Sequence, residues 1–152
     1  MKILQVIPYF CFGGAETMCE NLTYALKTMG HSVTVVSLYN EKTPIARRME
    51  EAGVRLLYLD KQLGLDLSMV PKLMHIMKQE KPDVVHTHLD VIKYAVAAAK
   101  LCGIRRCVHT VHNVAHGFQS ISQIFTHGLR AAKAEIRDHM YYFHNVTSCS
   151  SC

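Results

Sequence analysis

Two short histidine runs carry most of the chemistry this sequence could perform. His86-Thr87-His88 and His109-Thr110-Val111-His112 hold four of the ten histidines, and His116 follows closely. Imidazole can hydrogen-bond, move protons near neutral pH or bind a metal. An H-x-H pair suits zinc, but no third acidic or thiolate ligand stands at a recognisable spacing, so no metal site is assigned. Strand alternation places His86 with His88 on one face and separates His109 from His112 while the strand stays regular. His86 and His109 read best as neutral, packed histidines bonded to neighbours. His88 and His112 lie nearest the strand tips and are the candidates for ligand contact.

A second signal is the run Tyr9-Phe10-Cys11-Phe12-Gly13-Gly14-Ala15-Glu16. Paired glycines at the start of a helix let an anion or a sugar approach backbone N–H groups closely. They also suit a plain tight turn, and both readings stand. The G-x-G-x-x-G fingerprint is absent, Val33–Ser37 offers no acidic residue some 20 positions on, and there is no P-loop, so neither NAD nor ATP is favoured. Cys149-Ser150-Ser151-Cys152 has C-x-x-C spacing but falls at the end of the chain instead of after an early strand, which disfavours a redox role. Paired carboxylates are not evident at the strand tips, so two-carboxylate hydrolysis is unsupported.

Elements that would position these groups alternate along the chain. Strands are predicted at Lys2–Ile7, Ser32–Leu38, Val54–Leu59, Asp83–His88, Arg106–His112 and Asn145–Cys149. Most are continuous apolar runs, as strands buried on both faces should be. Between the first two, Ala15, Met18, Leu22, Ala25, Leu26 and Met29 recur at helical steps and Gly30 ends the pattern. Thr43-Pro44 opens a short helix ending at Gly53. Ser68 is predicted to cap Met69–Gln79, and Asp90 to cap Val91–Cys102, with Gly103 as its stop. A long helix is predicted from Ile121 to Tyr142, where Arg130, Lys133 and Arg137 form a basic stripe that suits a solvent face or anionic lipid. The pattern predicts one α/β domain over residues 1–152, a doubly wound parallel sheet of Rossmann-like type. In such sheets ligands bind beyond the carboxyl ends of the strands, which is where Gly13-Gly14, His88 and His112 would meet.

Composition narrows the function class. The 152 residues are 49% hydrophobic and 19% charged, with 17 Lys+Arg against 12 Asp+Glu and a formal charge of +5. That balance permits a phosphate ligand or an anionic membrane surface and is too small and scattered to argue for nucleic acid. A chain this long buries a core without staples, so Cys11, Cys19, Cys102, Cys107, Cys149 and Cys152 read as reduced thiols of a cytoplasmic protein. Pro8 ends the first apolar run too early for a signal peptide. The most apolar longer segment, Val91–Cys102, is short and carries Lys93 and Lys100, so no membrane span is predicted.

In order and spacing, the motifs resemble the N-terminal half of a retaining glycosyltransferase of family 4, built on the two-domain GT-B architecture. The similarity covers essentially all of the chain. It rests on Lys2–Pro8 with Gly13-Gly14-Ala15-Glu16, Leu22–Leu26 with Gly30-His31-Ser32-Val33, Lys81–His88, Val108–Asn113 and Val146–Ser150. The resemblance implies transfer of a sugar from a UDP- or GDP-type nucleotide-sugar donor to an acceptor, with no cofactor and no metal. It implies that Gly13 and Gly14 approach the donor diphosphate and that His112 acts at the reacting centre. Glu16, His88, Asn113 and Ser150 would face substrate. It further implies an acceptor-side domain whose donor-binding C-terminal partner is missing from this chain. The fragment alone is then expected to be inactive, in a pathway such as bacterial surface polysaccharide synthesis. The predicted stop at a strand tip also suggests a fragment. Two alternatives stand beside this: a Rossmann-like phosphate-binding module without catalysis, and half of a nucleotide-sugar epimerase.

Overall fold

The computed structural model describes residues 1–112 and 140–144. Six strands form one parallel sheet: β1 (Lys2–Ile7), β2 (Ser32–Ser37), β3 (Arg55–Tyr58), β4 (Val84–His88), β5 (Cys107–Val111) and β6 (Met140–His144). The helices are α1 (Gly14–Thr28), α2 (Pro44–Glu51), α3 (Met69–Glu80) and α4 (Ile92–Leu101). Strand order is β3-β2-β1-β4-β5-β6, every pair parallel. The chain leaves β1 toward one edge through β2 and β3, then returns to the other side at β4. The β1/β4 boundary is therefore the switch point, where crevices open at the carboxyl ends of the strands.

β1 sits at the centre, and its alternation sorts the core into two layers. Leu4 and Val6 pack with Leu73, Ile76 and Met77 of α3 and with Tyr94, Ala95 and Ala98 of α4. Ile3 and Ile7 pack with Cys19 of α1 and with Ile45, Ala46 and Met49 of α2. Both faces are covered by buried apolar clusters, as the continuous apolar runs required. Within β1 itself one polar residue, Gln5, is fully buried.

Local boundaries mostly follow local chemistry. Thr43 caps α2 by accepting the Ala46 N–H at 3.3 Å, with Pro44 at the first helical position. Gly30 follows α1 at φ +81, and Gly103 follows α4 at φ +73, left-handed positions that other residues adopt at a cost. Two predicted caps differ. The Ser68 side chain does not cap α3; Asp66 accepts both its N–H, at 3.0 Å, and its hydroxyl, at 2.6 Å. Asp90 does not cap α4 either, because Leu89–Val91 form a 3-10 turn and the helix starts at Ile92. Leu89 takes the left-handed region at φ +57, which turns the chain sharply off the tip of β4.

The far edge of the sheet is the larger correction. Residues 140–142, predicted as the end of a helix from Ile121, belong to β6 and pair alongside Cys107, Val108 and His109. The run Tyr141-Tyr142-Phe143 favours extended backbone, and the open edge of β5 supplies the partner. The rest of that helix, with the Arg130, Lys133 and Arg137 stripe, lies outside the described residues. So does the predicted strand Asn145–Cys149 with the C-x-x-C run. Among the described residues no helix is long and apolar enough to cross a membrane.

A bidentate ion pair ties α2 to α1. Arg48 donates from Nε to Glu20 Oε1 at 2.9 Å and from its terminal nitrogen to Oε2 at 2.7 Å. Glu20 is buried while the Arg48 side chain is half exposed. The guanidinium holds the Glu20 carboxyl below the ordinary value of 4.5. Folded Glu20 thus resists protonation more than the unfolded chain does, so this stabilisation is present at neutral pH and fades as pH falls below 4.5. Arg48→Ala should lower stability in urea unfolding at neutral pH, by less than for a wholly buried pair because the guanidinium is solvent-screened and water reaches Glu20 once the arginine is gone. The gap to wild type should close in acid.

Candidate functional site

A groove opens at the carboxyl edge, lined by Tyr9 and Phe12 of the β1–α1 connection, Gly13, Gly14 and Glu16 at the start of α1, and Leu89, Val111 and His112 at the tips of β4 and β5. The two motifs that the sequence places 98 residues apart (14 to 112) therefore share one depression at the switch point.

On one wall, Gly13 is the residue before α1, in extended backbone (φ −149, ψ 171), and no side chain caps the helix. Its carbonyl accepts the Thr17 N–H at 3.1 Å, while the first-turn N–H groups are left without intrahelical partners. The helix dipole adds partial positive charge there. The need for glycine at Gly13 is steric, not conformational, since a Cβ would collide with the Glu16 carboxylate packed against it. At Gly14 a Cβ would meet nothing within 4 Å. An incoming anion therefore finds its open approach on the Gly14 side, with the buried Glu16 carboxylate closing the other.

Histidines form the opposite wall and its foundation. His86, His88 and His112 share one face with Gln5, while His109 lies on the other and bonds the Thr87 hydroxyl through Nδ1 at 2.9 Å. His86 Nε2 pairs with the Thr110 hydroxyl at 2.8 Å. His88 is fully buried, its Nε2 3.0 Å from Gln5 Oε1 and its Nδ1 3.0 Å from His112 Nε2. Burial pushes all four imidazoles down from 6.5: His86 to about 4, His88 to about 2, and His109 and His112 by less. All four are therefore neutral at physiological pH, as their packing requires.

Gly13, Gly14, Glu16 and His112 are thus brought together. His88 is not on the groove surface: its ring fills the space under His112, and every edge of it is covered. Asn113 and Ser150 lie outside the described residues. Three residues that sequence patterning left unassigned belong to the same assembly. Gln5 Nε2 donates to the Thr23 hydroxyl at 2.9 Å, Thr23 donates to the Cys19 carbonyl at 2.7 Å, and the Cys19 thiol lies 3.3 Å from Gln5 Oε1. Burial raises that thiol to about 12, so Cys19 is inert as a nucleophile. The signal for Gln5 was present as the one polar residue inside an apolar strand. Among the described residues no group of three or more His, Cys, Asp or Glu is arranged to hold a metal.

The parallel order about a central β1, with a glycine loop and a histidine at the switch point, defines a Rossmann-like domain of the GT-B type. The chain belongs to glycosyltransferase family 4, whose family model matches residues 12–150. No curated protein matches significantly. Among solved structures it is similar to MurG of Acinetobacter baumannii (TM-score 0.66, 17% identity, 99% of this chain and 43% of that one). It is also similar to a glycosyltransferase of Rickettsia africae (0.60, 18%, 95% and 42%). A leucoanthocyanidin reductase of Vitis vinifera, solved with NADPH, shares the layout as well (0.59, 15%, 92% and 48%). At these identities the likeness concerns the fold alone. The chain spans less than half the length of each of these structures.

The two glycines give a paired prediction. Gly13→Ala should push the Glu16 carboxylate, the free end of its side chain, out of its place and lower stability by up to about 1 kcal/mol, whereas Gly14→Ala should fold with wild-type stability to within about 0.5 kcal/mol. Adding Glu16→Ala to Gly13→Ala should recover most of the loss, a non-additivity expected of residues in contact. Thermal unfolding of the three variants reads all of it.

Proposed function

We propose that this chain is the acceptor-side, N-terminal domain of a retaining glycosyltransferase that moves a sugar from a UDP- or GDP-sugar to an acceptor. The single observation that carries this is the shared groove at the switch point, with the uncapped start of α1 on one side and His112 on the other. The donor diphosphate would lie against the first-turn N–H groups, entering on the open Gly14 side. The sugar would then lie toward His112, whose neutral ring can hydrogen-bond a hydroxyl without adding charge beside the anomeric carbon. In the transfer, the bond from the anomeric carbon to the diphosphate oxygen breaks and a bond to the acceptor oxygen forms on the same face. The acceptor's proton leaves with the diphosphate. No metal or cofactor is assigned, since the helix terminus supplies the positive potential a departing diphosphate needs.

This reading places the nucleotide-binding residues on a C-terminal domain following this one, and it predicts no turnover by residues 1–152 alone. We place the activity on the cytoplasmic side, peripheral to an anionic membrane, in the assembly of a bacterial surface polysaccharide, with no nucleic-acid partner. The test is nucleotide release from UDP- and GDP-sugars by the complete reading frame containing this chain. Release with a lipid-linked acceptor, and none by residues 1–152 alone, is expected. Transfer only to soluble small molecules would remove the polysaccharide assignment, and no release from any donor would remove the transferase one.

A further inference from the structure

The hydrogen-bond chain beneath the groove has a direction that atom types alone determine. The Thr23 hydroxyl gives its one proton to the Cys19 carbonyl, so toward Gln5 it can only accept. It therefore accepts from Gln5 Nε2, which turns Gln5 Oε1 toward His88. An amide oxygen has no proton to give, so at 3.0 Å the hydrogen must sit on His88 Nε2. A neutral imidazole carries a single N–H, which leaves His88 Nδ1 bare. His112 Nε2, 3.0 Å away, must then donate to it. The remaining nitrogen of His112, Nδ1, is left as a lone-pair acceptor, with no hydrogen-bond partner among the described residues. His112 itself lines the groove.

We infer that Gln5 and His88 are positioning residues that lock His112 in its Nε2–H tautomer, so that the groove presents a hydrogen-bond acceptor at Nδ1. The chemical class recognised there is a neutral hydroxyl that donates; a phosphate or carboxylate oxygen would meet a lone pair and be repelled. Burial keeps both rings neutral, which the directional argument requires. The tautomer follows from the fold alone. That the hydroxyl belongs to a sugar rests on the function proposed above.

Long-range proton–nitrogen NMR of residues 1–152 labelled with 15N-histidine reads the tautomers directly, with His112→Gln supplying the assignment. His88 and His112 should each show a protonated Nε2 and a bare Nδ1 at neutral pH. A proton on His112 Nδ1, or rapid averaging between the two forms, would overturn the inference. Gln5→Met removes the acceptor that sets the direction, and should shift His112 toward Nδ1–H. Thr23→Val, which frees the amide to turn over, should shift it the same way and serves if Gln5→Met does not fold. An unchanged His112 spectrum in a folded variant would show that Gln5 does not set the tautomer. In the complete protein, donors with each sugar hydroxyl replaced in turn by fluorine should lose about tenfold in kcat/KM at one position, since fluorine cannot donate. That penalty should shrink in Gln5→Met. A flat fluorine series with the predicted NMR would overturn the sugar-hydroxyl contact, while absence of turnover with every donor would count against the transferase reading and leave the NMR result standing.

Discussion

Taken from about pH 7 to about pH 5, this protein should lose about 3–4 kcal/mol of folding stability through His86 and His88 alone. Both are buried against the sheet, held at about 4 and about 2, whereas in the unfolded chain they titrate near 6.5. Below 6.5 the unfolded chain binds protons that the folded one refuses, so stability falls with pH and keeps falling until the folded value of each ring is reached. The destabilisation for His86 therefore runs from 6.5 down to about 4 and for His88 further still. His109 and His112 shift the same way and steepen the slope. For a domain whose net stability is ordinarily about 5–15 kcal/mol, this is a large share. Urea unfolding at half-unit pH steps should show the decline beginning near 6.5, well above the carboxylate range. A stability flat from about pH 7 to about pH 5 would mean that these rings are not held neutral, and would remove the basis for the bonded chain beneath the groove.

The second large effect concerns turnover. In the complete protein, His112→Ala should lower nucleotide release about 100-fold or more, the scale observed when a single preorganised polar contact to a reacting centre is removed. Stability should change far less, by about 1–2 kcal/mol, chiefly because His88 Nδ1 loses its donor. The contrast between the two readouts matters, since a merely structural histidine would lose both in proportion. His88→Ala should behave in the opposite way, costing more stability than His112→Ala because it empties a fully buried site and leaves Gln5 Oε1 with only the Cys19 thiol. Any fall in turnover there would be indirect, through a loosened His112. Steady-state nucleotide release paired with thermal unfolding for both variants distinguishes the roles.

Much of the fold is legible because β1 to β5 advertise themselves locally. Ser32–Ser37 and Val84–His88 are short β-branched runs bounded by glycine or proline signals, and the parallel sheet follows from their alternation with amphipathic helices. The groove is legible through one general rule about sheet edges, which brings Gly13-Gly14 and His112 together, although the same rule also places His88 there and the fold buries it beneath His112. Local patterning failed where the competing choices are nearly equal in energy. The Ser68 hydroxyl donates to the Asp66 carboxylate instead of capping α3, and Leu89 takes a left-handed turn between β4 and α4. Residues 140–142 continue a helical pattern in one dimension, yet pair with β5 because an unsatisfied strand edge lies beside them.

By itself, then, the sequence determined the parallel α/β layout and the sheet edge at which Gly13-Gly14 and His112 share a groove, since periodicity and turn chemistry act over a few residues. Only the tertiary structure decided the roles within the histidine set. His86 and His88 share a strand face and differ by two positions, yet one meets the Thr110 hydroxyl while the other meets Gln5 and His112. Gln5, Cys19, Thr23, His88 and His112 come from four separate segments, and nothing local to any one of them specifies the others. Their hydrogen-bond direction is set by which donors and acceptors the fold leaves no water to satisfy.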